Sequence, residues 1–203
     1  FRADGSSRFT NKKWGYFPSV AGAWTVSNEK FWEPIRNAVE YMKIRASWGI
    51  IGNQNITPYS TLASLNATSF NYGTNTNYTG YWAGGIATPD LTWEKVKQLD
   101  FGIDLGFLGS RLSVGIDYFS KKTTDALLQQ SSTGYLGGVT YWTNAGEVSN
   151  KGFDINVNAQ IIQTKDLQWS SSLNASYLKN EVTKLSAQTP RLYGEKPALG
   201  TVD

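Results

Sequence analysis

The chain has 203 residues, of which 40% are apolar, 14% aromatic and 17% charged, and its formal net charge is +3. It contains no cysteine and no histidine, which excludes disulfides, thiolate zinc sites, cysteine nucleophiles and Ser-His-Asp chemistry within it, so neither a metal nor a cofactor is expected. The basic residues are dispersed rather than gathered in a stripe, so no nucleic-acid partner is expected. No apolar run nears the ~18 residues of a spanning helix.

The dominant signal has period 2, that of strands whose side chains alternate between two faces. The first element, near 14–25, is the weakest: Tyr16, Pro18, Val20, Gly22 and Trp24 share a face, but Phe17 falls on the wrong one and Pro18 lacks a ladder donor. Near 41–51, Met42, Ile44, Ala46, Trp48 and Ile50 alternate with Lys43, Arg45, Ser47 and Gly49. Near 92–108 the alternation is unbroken from Leu99 through Phe101, Ile103 and Leu105 to Phe107, with Asp100, Gly102, Asp104 and Gly106 opposite. Near 111–128, Leu112, Val114, Ile116 and Tyr118 alternate with Arg111, Ser113, Gly115 and Asp117. Near 151–163, Phe153, Ile155, Val157, Ala159 and Ile161 alternate with Asp154, Asn156, Asn158 and Gln160. Near 167–181, Trp169, Leu173, Ala175 and Tyr177 share a face that Ser171 interrupts.

Gly109-Ser110 and Thr164-Lys165-Asp166 are expected to be tight hairpin turns, and 26–40 a moderate connection. Segments 52–91 and 129–150 are long, polar and rich in Asn, Thr, Gly, Tyr and Trp. With the strands running up and down, the tight turns and 26–40 fall at one end and the long loops at the other. That is the layout of an antiparallel transmembrane β-barrel, with short periplasmic turns and long extracellular loops.

Alternation alone also fits a soluble β-sandwich, the commoner case, with the apolar face turned into its core. The aromatic positions shift the balance. On the apolar face Tyr16, Trp48, Trp93, Tyr118, Phe153 and Tyr177 gather at the long-loop end, and Trp24, Phe107 and Trp169 at the short-turn end. Two aromatic girdles around an aliphatic belt are the signature of an outer-membrane barrel. From Leu99 to Phe107 a tilted strand rises about 20 Å, close to the ~25 Å apolar band. Bacterial barrels start at about eight strands, and an open sheet in lipid would leave unsatisfied edges, so about six strands imply part of a longer polypeptide.

The same residues resemble part of the barrel of SusC/RagA-type TonB-dependent outer-membrane transporters of Bacteroidetes. The resemblance rests on residues 2–9, 14–24, 43–49 with Gly52-Asn53, 89–94, Tyr118-Phe119 with 122–128, and 144–154, in family order over nearly the whole chain. It implies a large barrel holding a plug in its lumen, lidded by a SusD-like surface lipoprotein and importing oligosaccharides or peptides with energy relayed by TonB. Neither a plug nor a TonB-contacting segment is found within 1–203, and residues 194–200 look like a family loop leading into further strands. TonB is therefore expected to act through N-terminal parts outside this stretch.

Aromatic rings stack on sugar faces and amide side chains offer both donor and acceptor to hydroxyls, so Tyr72, Tyr78, Tyr81 and Trp82 in segment 65–93 are candidate ligand contacts. Tyr141 and Trp142 form a second candidate. In each case packing of the loop on itself or on the partner lipoprotein is the competing reading. Lys43, Arg45, Asp100, Asp104, Arg111, Asp117 and Asp154 are expected to line the lumen, chiefly pairing across adjacent strands. Asp100 and Asp104 are ~13 Å apart along a strand, too far for either glycosidase geometry, and no catalytic residue is expected. The other function class retained is a soluble β-sandwich carbohydrate-binding module using 65–93.

Overall fold

The computed structural model describes residues 1–71, 73, 77–132, 134 and 138–185. Tyr72 and the family-like loop at 194–200 lie outside the described residues. The strands are β1 (Arg2–Gly5), β2 (Trp14–Phe17), β3 (Ser19–Thr25), β4 (Tyr41–Asn53), β5 (Ser64–Asn71), β6 (Asn77–Gly85), β7 (Glu94–Phe107), β8 (Leu112–Thr124), β9 (Leu127–Ser131), β10 (Thr140–Asn144), β11 (Glu147–Gln163) and β12 (Gln168–Lys184). Two single-turn 3₁₀ helices, Val26–Asn28 and Lys30–Trp32, occupy the connection from β3 to β4.

The expected strands pair into one six-stranded antiparallel sheet in the order β12-β11-β8-β7-β4-β3. The register lines up like with like. Trp24, Ile44, Ile103, Ile116, Ile155 and Ala175 form one cross-strand row, and Gly22, Ala46, Phe101, Tyr118, Phe153 and Tyr177 the next row on the same face. Between them, on the opposite face, run Ala23, Arg45, Gly102, Asp117, Asp154 and Ser176. A slip of one residue would move every apolar side chain to the polar face, so the pattern fixes the pairing.

The apolar band crosses the sheet on a slant. Toward the tight turns it ends at Trp24 on β3, Met42 on β4, Phe107 on β7, Leu112 on β8 and Trp169 on β12, stepping across successive register rows. Toward the long loops its first lysines are Lys97 on β7 and Lys122 on β8, which pair with each other, but on β11 and β12 they are Lys151 and Lys179, one row nearer the turns. Strands tilted in a barrel produce this offset, because a constant height cuts across register rows. In a soluble sandwich a second sheet would cover this band. Here Trp48, Leu99, Phe101, Phe153, Ile155 and Tyr177 are all exposed.

Three departures from expectation have local causes. The element at 14–25 splits at Pro18, which cannot donate to the ladder, and Phe17 is buried rather than misplaced on a sheet face. The element at 111–128 ends at Thr124, because Asp125 takes φ +55° and turns the chain into β9. Strands β11 and β12 run beyond 151 and 181, because above the belt the apolar residues change faces. Ile51, Val96, Val148 and Val182 lie on the parity that is polar lower down.

The long segments are not structureless. β5 pairs with β6, β9 with β10, and β1 with β2, each as a two-stranded antiparallel sheet. The buried core lies among these additions: Phe9, Phe17, Ile56, Leu91 and Trp93, with Ile50, Leu127 and Trp142 packed against it. At the other end the turn between β7 and β8 has left-handed φ of +58° at Leu108, +67° at Gly109 and +62° at Ser110. The Glu40 carboxylate holds it by accepting the amides of Gly109 and Ser110, the latter at 3.0 Å.

Candidate functional site

Six of the seven charged residues expected on the polar face come together there. Arg45 on β4 forks onto Asp104 of β7, with Nε and Nη2 donating at 2.8 and 2.9 Å, and its Nη2 lies 3.0 Å from Asp117 of β8. One side chain thus spans three strands. It can do so because Gly102, between Arg45 and Asp117 in register, has no side chain; a Cβ there would overlap both the guanidinium and the Asp117 carboxylate. Asp117 also faces Asp154 directly across β8 and β11, a repulsive pairing that Arg45 offsets. Asp154 accepts from Ser176 at 2.6 Å, and Asp100 accepts from Ser47 at 3.0 Å and from the Gln98 amide at 2.9 Å. Lys43 lies in register beside Asp104. The structure thus forms the expected cross-strand pairing at Arg45.

Arg111 is placed differently. It belongs to the turn before β8, and its guanidinium donates to the carbonyls of Gln160 and Ile161, at 3.2 and 2.7 Å. Those carbonyls sit at a register shift of β11 between Gln160 and Ile162, so Arg111 satisfies a bulge rather than joining the acidic row.

On the apolar face Trp24, Trp48, Phe153, Trp169 and Tyr177 present exposed rings, and Tyr118 and Phe107 are half-buried, whereas Tyr16 is exposed on β2, which pairs with β1 outside the six-stranded sheet. Tyr118 and Phe153 are ring neighbours at 5.0 Å. Trp93 departs from this girdle. It precedes β7, is only 3% exposed, and packs against Phe9 and Phe17 with ring centroids 5.4 Å from each. Its indole N–H donates to the Lys13 carbonyl. The strand ladder starts at Glu94, so face parity does not extend back to Trp93.

That packing explains why the family-like segments have the residues they do. They meet at the long-loop end. Gly15 and Gly52 leave room for the Phe17 ring, which a Cβ at either would strike. Arg8 donates to the Gln54 carbonyl at 3.1 Å, and Asn11 N–H to that of Pro89 at 3.3 Å. Asn144 bridges two segments, its amide donating to Thr92 and Asp125 carbonyls at 2.8 and 2.9 Å while its oxygen accepts the Thr92 N–H at 2.8 Å. Glu94 accepts from the Asn53 amide and the Leu127 N–H.

The candidate ligand contacts divide between two places. On the β5–β6 hairpin, Trp82 faces Asn66 and Tyr78 faces Phe70 on one side, whereas Tyr81, an odd number of residues from both, points to the other. All three aromatic candidates of β6 are exposed. Tyr141 and Trp142 on β10 instead line a cavity of about 400 Å³ at the foot of that hairpin, with Tyr59, Gln129, Ser60 and Gly84. Sequence reasoning missed Tyr59. Its φ of +65° is a backbone outlier for an aromatic residue, and only the folded backbone shows it.

The chain matches the family model described as TonB dependent receptor-like, beta-barrel over residues 1–199. It belongs to the TonB-dependent receptor β-barrel family. It is 37% identical over 185 residues to TonB-dependent receptor P3 of Formosa agariphila, covering 91% of this chain and 18% of that protein. It is 35% identical over 192 residues to TonB-dependent receptor SusC of Bacteroides thetaiotaomicron, covering 91% of this chain and 19% of that one. Among solved structures, the RagAB peptide importer in its closed-closed state superposes with a TM-score of 0.79 at 31% identity, over 91% of this chain and 20% of that chain. The SusC/RagA resemblance read from the motifs therefore holds, and this chain spans less than a fifth of the length of the curated relatives it matches. Its six-stranded sheet is an up-and-down antiparallel segment of such a transmembrane β-barrel, with tight turns at one end and long segments at the other.

Proposed function

We propose that this chain forms part of the barrel wall of an outer-membrane nutrient importer in a Bacteroidetes-type Gram-negative cell. On this reading the apolar band, with Tyr16, Trp24, Trp48, Phe107, Tyr118, Phe153, Trp169 and Tyr177 at its margins, meets lipid. Lys43, Arg45, Asp100, Asp104, Asp117 and Asp154 line the lumen, and the loop ends contact substrate and a SusD-like lipoprotein. Uptake of oligosaccharides or peptides is energised through TonB by parts outside this stretch, and the chain contributes no covalent chemistry. The observation that carries the reading is the exposed, slanted apolar band backed by an ion-paired polar face, in a chain of this family. Such a surface needs lipid on one side and water or protein on the other.

Fractionation of cells expressing the full-length transporter tests it. The protein should enter the outer membrane, shift its gel mobility on heating, and co-purify with a SusD-like surface lipoprotein. Recovery from the soluble fraction without detergent would leave the soluble carbohydrate-binding module standing.

A further inference from the structure

The chain distributes its charge unevenly. The polar face of the sheet carries Arg45, Asp104 and Asp117 in direct contact, yet residues 54–89 and 126–146 contain no Asp, Glu, Lys or Arg at all in a chain that is 17% charged overall. Those two stretches supply every residue lining the cavity at the foot of the β5–β6 hairpin. They also supply the exposed Trp82–Asn66 and Tyr78–Phe70 pairs above it. At about 400 Å³ the cavity falls in the size range of small-ligand sites.

We infer that this loop surface selects a neutral, polyhydroxylated ligand, an uncharged oligosaccharide, over peptides and over acidic or sulfated sugars. The inference deepens the importer reading and rests on it. A peptide brings an ammonium, a carboxylate and charged side chains, and each loses hydration on entering an aromatic-lined cavity with no counter-charge to replace it. A neutral sugar has no such cost. Its C–H faces stack on Trp82, Tyr78, Tyr141 and Trp142, while Asn66 and Gln129 offer amide groups to its hydroxyls.

The test compares a strain carrying the full-length transporter and its lipoprotein with a strain lacking the transporter. Each is fed three pools: neutral glucan, mannan and xylan oligosaccharides; oligogalacturonates with sulfated oligosaccharides; and a tryptic digest of casein. Depletion from the medium is read by mass spectrometry. The expected result is that only depletion of neutral oligosaccharides requires the transporter. Transporter-dependent depletion of peptides or acidic sugars overturns the ligand class and leaves the importer standing. If no pool depends on the transporter, the importer reading falls and the inference with it. Trp82→Ala, on the exposed hairpin away from the core, should slow neutral uptake by about three- to tenfold, the value of one aromatic contact, at unchanged outer-membrane abundance. Trp142→Ala, whose ring also packs against the buried core, should slow neutral uptake by a similar factor when uptake is normalised to outer-membrane abundance. Unchanged neutral uptake in both variants would also overturn the inference.

Discussion

The six-stranded sheet and the cap above its long-loop end solve the same problem in opposite ways. The sheet presents its apolar side chains outward and leaves Phe101, Ile116, Phe153 and Ile155 uncovered. The cap gathers Phe9, Phe17, Ile56, Leu91 and Trp93 from separate segments and closes them off. In the first region the surroundings supply the apolar complement, and in the second the chain does. The same substitution should therefore have different consequences in the two places.

The largest effect belongs to the cap. Replacing Trp93 by alanine removes the ring that both Phe9 and Phe17 contact. It should cost about 3–5 kcal/mol, as for other buried aromatics, read as a lower midpoint in urea unfolding of the detergent-solubilised full-length protein. Trp169→Ala, on the exposed face, should shift that midpoint far less. Equal shifts would erase the distinction between the two regions.

In a bilayer the ranking changes for charge. Ile103→Lys lies at mid-belt and should cost roughly 2–4 kcal/mol when folding is measured in lipid vesicles. A lysine at neighbouring Gly102 would instead strike the Arg45 guanidinium and the Asp117 carboxylate, so its effect should persist in detergent. Equal tolerance of lysine at Leu99, Ile103 and Leu105 would break the lipid-facing assignment.

A smaller effect is expected from Arg45→Met. The loss leaves Asp117 facing Asp154 without the cation that pairs with Asp117. Because the Arg45 side chain is 40% exposed, solvent screening holds the cost to about 1 kcal/mol. Its signature is salt dependence: added salt should narrow the gap from the unmodified protein.

The sheet was legible in the sequence because one residue type recurs on one face for as long as the belt lasts. Leu99 to Phe107 could be paired with nothing but another such strand, and the register rows bear this out. The cap was not legible, for two physical reasons. Above the belt Ile51, Val96, Val148 and Val182 change faces, so the period-2 signal fades where the strands continue. The cap's core joins Phe9, Phe17, Ile56, Leu91 and Trp93 across most of a hundred residues, and no local period marks such contacts. Strand parity carried back past Glu94 would put Trp93 in the girdle, but the strand begins only at Glu94. Of the ligand candidates, alternation along β6 already separates Tyr81 from Tyr78 and Trp82, whereas the cavity joining Tyr141 and Trp142 to Tyr59 depends on loop packing.

The smallest effect tests the boundary between the two regions. Lys122 on β8 and Glu147 on β11 form an ion pair of 2.8 Å above the belt. The hydrogen bond from Lys122 holds the Glu147 carboxyl below the usual carboxylate range, with Lys184 and Lys97 adding to it. A lowered folded pKa means the pair stabilises the protein fully above the ordinary glutamate range and loses that contribution as pH falls through the depressed value. Lys122→Met should therefore leave acid stability almost unchanged while lowering it slightly near neutrality, a difference that high salt removes. A salt-insensitive loss of the same size at both pH values would place the Lys122 stem, rather than its charge, against the apolar band, and move the boundary up by one register row.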